Sequence, residues 1–425
     1  LFNTSFDIFR IDFDGATVID RPAILGGAPV RAEPVPFLRP ALPPLDALEP
    51  ELRSMFESGI LTKGRWLRRF EEAIAAHVSV PHAIAVSSCT AGLMMAVQQL
   101  GLHGDVLVPS FTFMATVHPL AWSGLRPVFV DVRRDTWNID PQAAEEALTP
   151  QSTAIVAVHV GGNPAPVEDL QALADRHGLK LLYDAAHGFG ALHRGRPLGG
   201  YGDAEVFSTS PTKLLITGEG GVITTCNADL AARLRMAREY GNRGDYDSAF
   251  PGLNARMQEF SAALGWHSLG MLEAAAQRRN AVAERYRARL AALPGIAFQV
   301  VQPGDRSSYK DFTILVEPAE FGLTAAELAH ALAAEGIDTR RYYAPPVHRH
   351  AAYREIGCRF EGRLPVTNWL AERVLSLPIY SHMDDALVDD ICAAMERIHC
   401  YAAAVRRALE EQARGDVAHG AVGRD

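Results

Sequence analysis

Cysteine is scarce in this 425-residue chain and badly placed for structural use. The five residues Cys89, Cys226, Cys358, Cys392 and Cys400 are odd in number and far apart. With no CxxC pair there is neither a zinc ribbon nor a disulfide framework to build, and a reducing compartment fits best. No apolar run approaches the roughly 20 residues needed to cross a bilayer. The opening LFNTSFDIFRIDFDG brings acids early and lacks a basic stretch followed by an apolar one. It therefore does not read as a secretory signal, and the expected location is cytoplasmic with no membrane partner. Positive charge is not in excess either: the net charge of -9 argues against nucleic acid as a partner. Familiar signatures are also missing. There is no GxxxxGKS/T loop and no HExxH, and GEGG at 218–221 lacks GxGxxG spacing, which weakens a nicotinamide dehydrogenase reading. His348 and His350 form no recognised metal-ligand motif, so they read as surface or substrate-contacting residues and no metal is expected.

What is present is an ordinary soluble composition, 48% hydrophobic and 21% charged, in a chain long enough for two cores. Residues 1–50 carry Pro34, Pro36, Pro40, Pro43, Pro44 and Pro50 and read as an extended arm over the surface. From about 51 helical and strand-like segments alternate. The apolar runs 82–88, 105–110, 126–132, 153–160 and 179–186 are separated by helical patterns at 90–100, 141–148 and 166–178. That alternation reads as βαβ units around a mostly parallel sheet covered on both faces. Two further strands, 205–210 and 221–226, bracket TGEGG and bring the expected total to seven. A helix from about Glu259 to Leu293 is long enough to leave one domain and enter another. Beyond it a strand, a helix and a terminal helix from about Asp384 read as a smaller C-terminal α/β domain. The expected division is an arm at 1–50, a large domain at 51–270, a small domain at 271–410 and a disordered tail at 411–425.

Three segments carry chemistry. SSCTAG at 87–92 lies where the first strand turns into a helix, and small residues there let free amides approach a phosphate. Ser and Thr also cap ordinary helices, so this motif alone leaves both readings open. Asp184 ends the strand LLYD at the edge where open α/β sheets bind ligands. Lys213 follows 29 positions on (213 − 184), between two strands, beside Ser208 and a glycine turn. Alone, each is an unremarked strand-end acid or surface cation. Together they match what pyridoxal phosphate needs: an amine to hold the aldehyde, a carboxylate for the pyridine nitrogen, and a phosphate cup.

At these residues the chain resembles the DegT/StrS family of sugar aminotransferases, within the fold-type I, aspartate aminotransferase-like enzymes. The resemblance runs from about Leu25 to His399 through separated motifs in order. They are LGGAPVR, GRWLRRFEEAIAAH, SSCTAGL, VPSFTFMATVHPL, DAAHGFGA, FSTSPTKLLITGEGGVITT, LNARMQEFSAALG, RRYYAPPVHRH and VLSLPIYSHM. It implies a large, mostly parallel seven-stranded domain with a smaller C-terminal one. It implies that Lys213 and Asp184 are catalytic, that Phe113 stacks on the cofactor ring, and that His187 lies near the ring hydroxyl. Thr90, Ala91 and Ser208 would hold the phosphate, with Asn254 reaching it from the other subunit of a homodimer. Cys89 stands where the family has Gly, and Ser210 where many relatives have a larger polar residue.

The implied activity moves an amino group from Glu or Gln to a keto-sugar, with a nucleotide-linked keto-deoxysugar first and a keto-cyclitol second. Tyr342, Tyr343 and His348, with Arg340 and Arg341, are candidate substrate contacts or simply a charged loop. A rival reading is a regulatory protein that binds pyridoxal phosphate without turnover.

Overall fold

The computed structural model describes residues 9–11 and 17–420. Seven strands form the main sheet: β1 (His82–Val86), β2 (Asp105–Pro109), β3 (Arg126–Val130), β4 (Ser152–Val158), β5 (Lys180–Asp184), β6 (Ala204–Ser208) and β7 (Gly221–Thr225). Their order is β1-β7-β6-β5-β4-β2-β3, and β7 runs antiparallel to both of its neighbours. The runs VLV, AIVAV and LLY are apolar on both faces because helices cover both faces, and their side chains are almost wholly buried. A second, antiparallel sheet holds β8 (Ile296–Phe298), β9 (Phe312–Val316) and β10 (Val374–Leu377). The helices Ala325–Ala334 and Asp385–Cys400 join it in one apolar cluster with Val282, Ala283 and Tyr286. Those last three belong to the helix Glu259–Leu290, which spans 32 residues and touches both sheets' cores.

That helix is anchored at its first residue. Glu259 is buried, and its carboxylate accepts the amides of Gly64, Trp66 and Leu67 at 2.9, 2.8 and 3.0 Å. These amides open the helix Arg65–His77, whose N-cap Gly64 has no side chain to offer them. A Cβ on Gly64 would stand 2.4 Å from Glu259 Oε2, so the glycine is what lets the carboxylate come close. One helix thus supplies the cap of another.

Two expectations need correction. The arm does not extend to residue 50, because a helix occupies Leu45–Ser58 with Pro44 at its N-cap and Pro50 inside. Burial of Met55 and Leu48 against Trp66 and Phe70 outweighs the hydrogen bond that Pro50 cannot donate. Between 20 and 44 the chain makes one 3-10 turn, Ala23–Leu25, and is tied down. Glu335 accepts the amides of Ala23 and Val30 at 2.9 and 3.1 Å, and Val35 is buried. The expected tail is also helical as far as Gly420, in a helix from Ala402 that is rich in Ala, Arg and Glu. Residues 421–425, the rest of that expectation, lie outside the described residues. No helix among the described residues is long and apolar enough to cross a membrane.

Replacing Glu259 with Ala strands three amides in the interior. Its urea unfolding midpoint is expected to fall by the equivalent of about 1–3 kcal/mol. Gly64→Ala is expected to destabilise in the same direction through the blocked approach.

Candidate functional site

Parallel order brings the ends of β1, β2, β4, β5 and β6 to one edge, and there a cleft of about 360 Å³ opens. Asp184, the last residue of β5, lies at its floor and is 4% exposed. Its Oδ2 accepts the Thr116 hydroxyl at 2.6 Å and its Oδ1 the Ala186 amide at 3.0 Å. Thr112 in turn meets Thr116 at 2.7 Å, so the loop after β2 orients the carboxylate. Burial raises the Asp184 pKa above the ordinary range, against the pull of these hydrogen bonds and of Lys213 and His159. No described cation forms an ion pair with it.

Lys213 faces the same cleft from the loop between β6 and β7, its amide fixed to the Ser210 carbonyl at 3.0 Å. Loss of water first, and the nearby Lys310 cation second, bring its amine down to a pKa of about 8. The chain has only four lysines. Lys63, Lys180 and Lys310 each hold a carboxylate, at 2.7 Å from Glu239, 3.0 Å from Asp203 and 2.7 Å from Asp311. Among the described residues the Lys213 amine has no hydrogen-bond or ion-pair partner.

The remaining wall divides the sequence expectations. Thr90, Phe113, His187, Ser208, Tyr342 and Tyr343 all line the cleft. Phe113 is 47% exposed and free to present a ring face. His187 is buried with Nδ1 unpartnered, and burial, then the two lysines, hold its pKa well below the ordinary value. Ala91 does not reach the cleft. Its amide is spent on Ser88 Oγ at 3.1 Å, which leaves Cys89 and Thr90 as the open first-turn amides of the helix Cys89–Gln99. Where β7 begins, a Cβ on Gly221 would stand 2.6 Å from the Cys89 amide nitrogen, so this glycine keeps the helix start uncovered.

Four further residues lie elsewhere. His348 is 1% exposed and buried as a brace, meeting Ser110 Oγ at 2.7 Å and Glu361 at 3.1 Å. Arg340 pairs with Asp338, and Arg341 donates to the carbonyls of Ala371 and Glu372. Asn254 is exposed, off its own chain's cleft, with its backbone bridged to Glu239. The N-cap of the long helix is Gln258, so helix capping does not account for Asn254.

Sequence reading missed the Lys310–Asp311 pair, which lines the cleft just before β9. The scarcity of lysine was the available signal. Behind the pair, buried Arg279 of the long helix donates to the carbonyls of Tyr309 and Lys310 at 3.1 and 3.0 Å. Desolvation lowers its pKa to about 10.

Comparison with known proteins bears on this geometry. The DegT/DnrJ/EryC1/StrS aminotransferase family matches residues 46–396. The dTDP-3-amino-3,4,6-trideoxy-alpha-D-glucose transaminase of Streptomyces venezuelae is 38% identical over 361 residues, 82% of this chain and 92% of that one. The spore coat polysaccharide biosynthesis protein SpsC of Bacillus subtilis is 36% identical over 363 residues, 82% of this chain and 93% of its own length. Among solved structures, DesI in the presence of its TDP-sugar product superposes with a TM-score of 0.83 at 36% identity. That match covers 93% of this chain and 98% of DesI.

Labelling the protein with formaldehyde and cyanoborohydride tests the depressed amine. Peptide mass spectrometry is expected to give half-maximal methylation of Lys213 near pH 8. Because only the unprotonated amine reacts, labelling rises with pH, and a midpoint near the ordinary lysine value of about 10.4 contradicts the burial argument.

Proposed function

The chain belongs to the DegT/DnrJ/EryC1/StrS aminotransferase family, and we propose that it uses pyridoxal phosphate to move an amino group from Glu or Gln to a nucleotide-linked keto-deoxysugar. The observation that carries this reading is one cleft holding an unpartnered lysine amine and a buried carboxylate without a cation. The printed activity of the Streptomyces relative, a dTDP-sugar transaminase, and the TDP-sugar product of DesI support the acceptor class.

The residues present fit the cofactor. Asp184 is a buried negative charge in need of a positive partner, and a protonated pyridine nitrogen is one. The uncovered amides of Cys89 and Thr90, with the Ser208 hydroxyl, suit a phosphate at a helix N-terminus. Ala91 joins them only if Ser88 releases its amide. When bound, pyridoxal phosphate supplies an aldehyde that takes amines covalently and a ring that draws electron density away. Lys213 would hold that aldehyde and afterwards carry the proton between the substrate carbon and the cofactor. An amine with a pKa of about 8 both accepts and returns a proton near neutrality. Asp184 would keep the ring nitrogen protonated, Phe113 would cover one ring face, and neutral His187 would meet the ring hydroxyl with its free Nδ1. Tyr342 and Tyr343 would border the sugar.

The same proposal includes a cytoplasmic homodimer with shared sites, and a division at about 270 into a domain around each sheet. Asn254, exposed and away from its own cleft, would contact the phosphate held in the facing subunit.

Borohydride reduction is expected to fix the cofactor to Lys213, and Lys213→Ala to lose both the adduct and turnover. Asp184→Asn is expected to keep the adduct. Its glutamate-driven conversion of the cofactor should slow by about 10²–10³-fold, the usual cost of removing one preorganised electrostatic partner. An adduct that survives Lys213→Ala, or wild-type protein that glutamate leaves unchanged, counts against the reading and favours a regulatory role.

Mixing inactive Lys213→Ala and Asn254→Asp chains tests the shared site. Mixed dimers are expected to regain one competent site, since both lesions fall in the other. No recovery in verified mixed dimers means that Asn254 acts within its own chain.

A further inference from the structure

Two of the four lysines face the cleft, and the mechanism above uses only one. Lys310 is 6% exposed and is fixed from three sides. Its ammonium lies 2.7 Å from Asp311 Oδ1 and 5.2 Å from the centre of the Tyr342 ring, and its carbonyl is held by Arg279. Asp311 is equally buried, at 6%. Holding an ion pair this deep costs desolvation, and simple stability would be served as well by apolar residues. The pair is also unfinished. An ammonium has three donors and a carboxylate two oxygens, and the internal bond uses one of each. What remains toward the cleft is two N–H donors beside one acceptor oxygen.

That pattern selects its ligand. A carboxylate offers only acceptors and would meet the Asp311 charge as well as Lys310. A hydroxyl both donates and accepts, and fits the remaining groups without leaving either charge unpaired. We propose that Lys310 and Asp311 form a specificity-determining pair that recognises a ring hydroxyl of the keto-sugar close to the carbon receiving the amine. The inference rests on the aminotransferase reading and deepens it. Lys310 and Lys213 line the same cleft, so one sugar ring can reach both.

The test separates the two halves of the reaction. Lys310→Gln/Asp311→Asn keeps volume and an internal hydrogen bond while removing both charges. Calorimetry would compare a dTDP-linked keto-deoxysugar, its analogue lacking one ring hydroxyl, and dTDP alone on the amine form of the enzyme. The double variant is expected to bind the keto-sugar about 10- to 100-fold more weakly, the cost of a lost charge-assisted hydrogen bond. Binding of dTDP alone should change by far less. Glutamate-driven conversion, followed by absorbance, should lose at least about tenfold less than sugar binding does.

Wild-type protein supplies an arm that no folding defect can spoil. It is expected to prefer the hydroxylated sugar over at least one single-deoxy analogue by about 10²-fold or more. Equal affinity for the parent and every analogue overturns the proposal. So does a glutamate half-reaction damaged as severely as sugar binding, which would assign the pair to the donor carboxylate. If glutamate does not convert the wild-type cofactor at all, the aminotransferase reading falls first and the pair's role with it. If conversion is normal and the losses fall elsewhere, only the pair's role is lost.

Discussion

A carboxylate enclosed at the end of a central parallel strand, with no cation among the described residues paired to it, is the constraint on which the rest of this structure turns. Asp184 can be buried only because its two oxygens take hydrogen bonds from Thr116 and Ala186. The Thr116 bond exists because β2 and β5 end at the same edge of the sheet, and the Ala186 bond because the chain turns just past Asp184. The residual cost, visible as the raised pKa, makes the cleft a place that favours a positive ligand group. Lys213 meets the complementary difficulty, an amine deprived of water, and answers it by giving up its proton more readily. Two groups held in unfavourable charge states, one from the end of β5 and one from the loop after β6, become mutually useful once a ligand stands between them.

The long helix Glu259–Leu290 makes this arrangement one object. Its first residue caps the helix that packs under β1, and a residue twenty positions on (279 − 259) clasps the backbone of Tyr309 and Lys310 in the cleft wall. Tyr309 sits at a φ of +44°, a left-handed backbone that a bulky side chain seldom adopts. The Arg279 clasp on its carbonyl is what holds it there.

The main sheet was legible because its strands are covered on both faces, which writes each one as an uninterrupted apolar run. Asp184 was legible from its place at a strand end and Lys213 from its place in the loop 29 positions on (213 − 184), and both line the cleft. Other features depend on partners that no local pattern announces. Ala91, expected at the phosphate, has its amide on the Ser88 hydroxyl. His348 looked exposed in a basic loop, yet Ser110 and Glu361 enclose it. The helix at Leu45–Ser58 was hidden behind prolines because tertiary contact decides it, and the last helix was hidden behind its polar residues. Lys310 and Asp311 stayed unseen because 97 positions (310 − 213) separate the two lysines that the fold brings to one cleft.

The pairing of lysines has a consequence for chemical selectivity. Glu239, Asp203 and Asp311 each engage one amine, and the fourth has no partner among the described residues. A synthetic chemist facing four similar amines would mask three before adding an electrophile. Here the masking groups are carboxylates already in the chain, and unlike synthetic ones they need no removal. A reactive aldehyde that enters this cleft therefore meets, among the described residues, the one lysine amine that no carboxylate already holds.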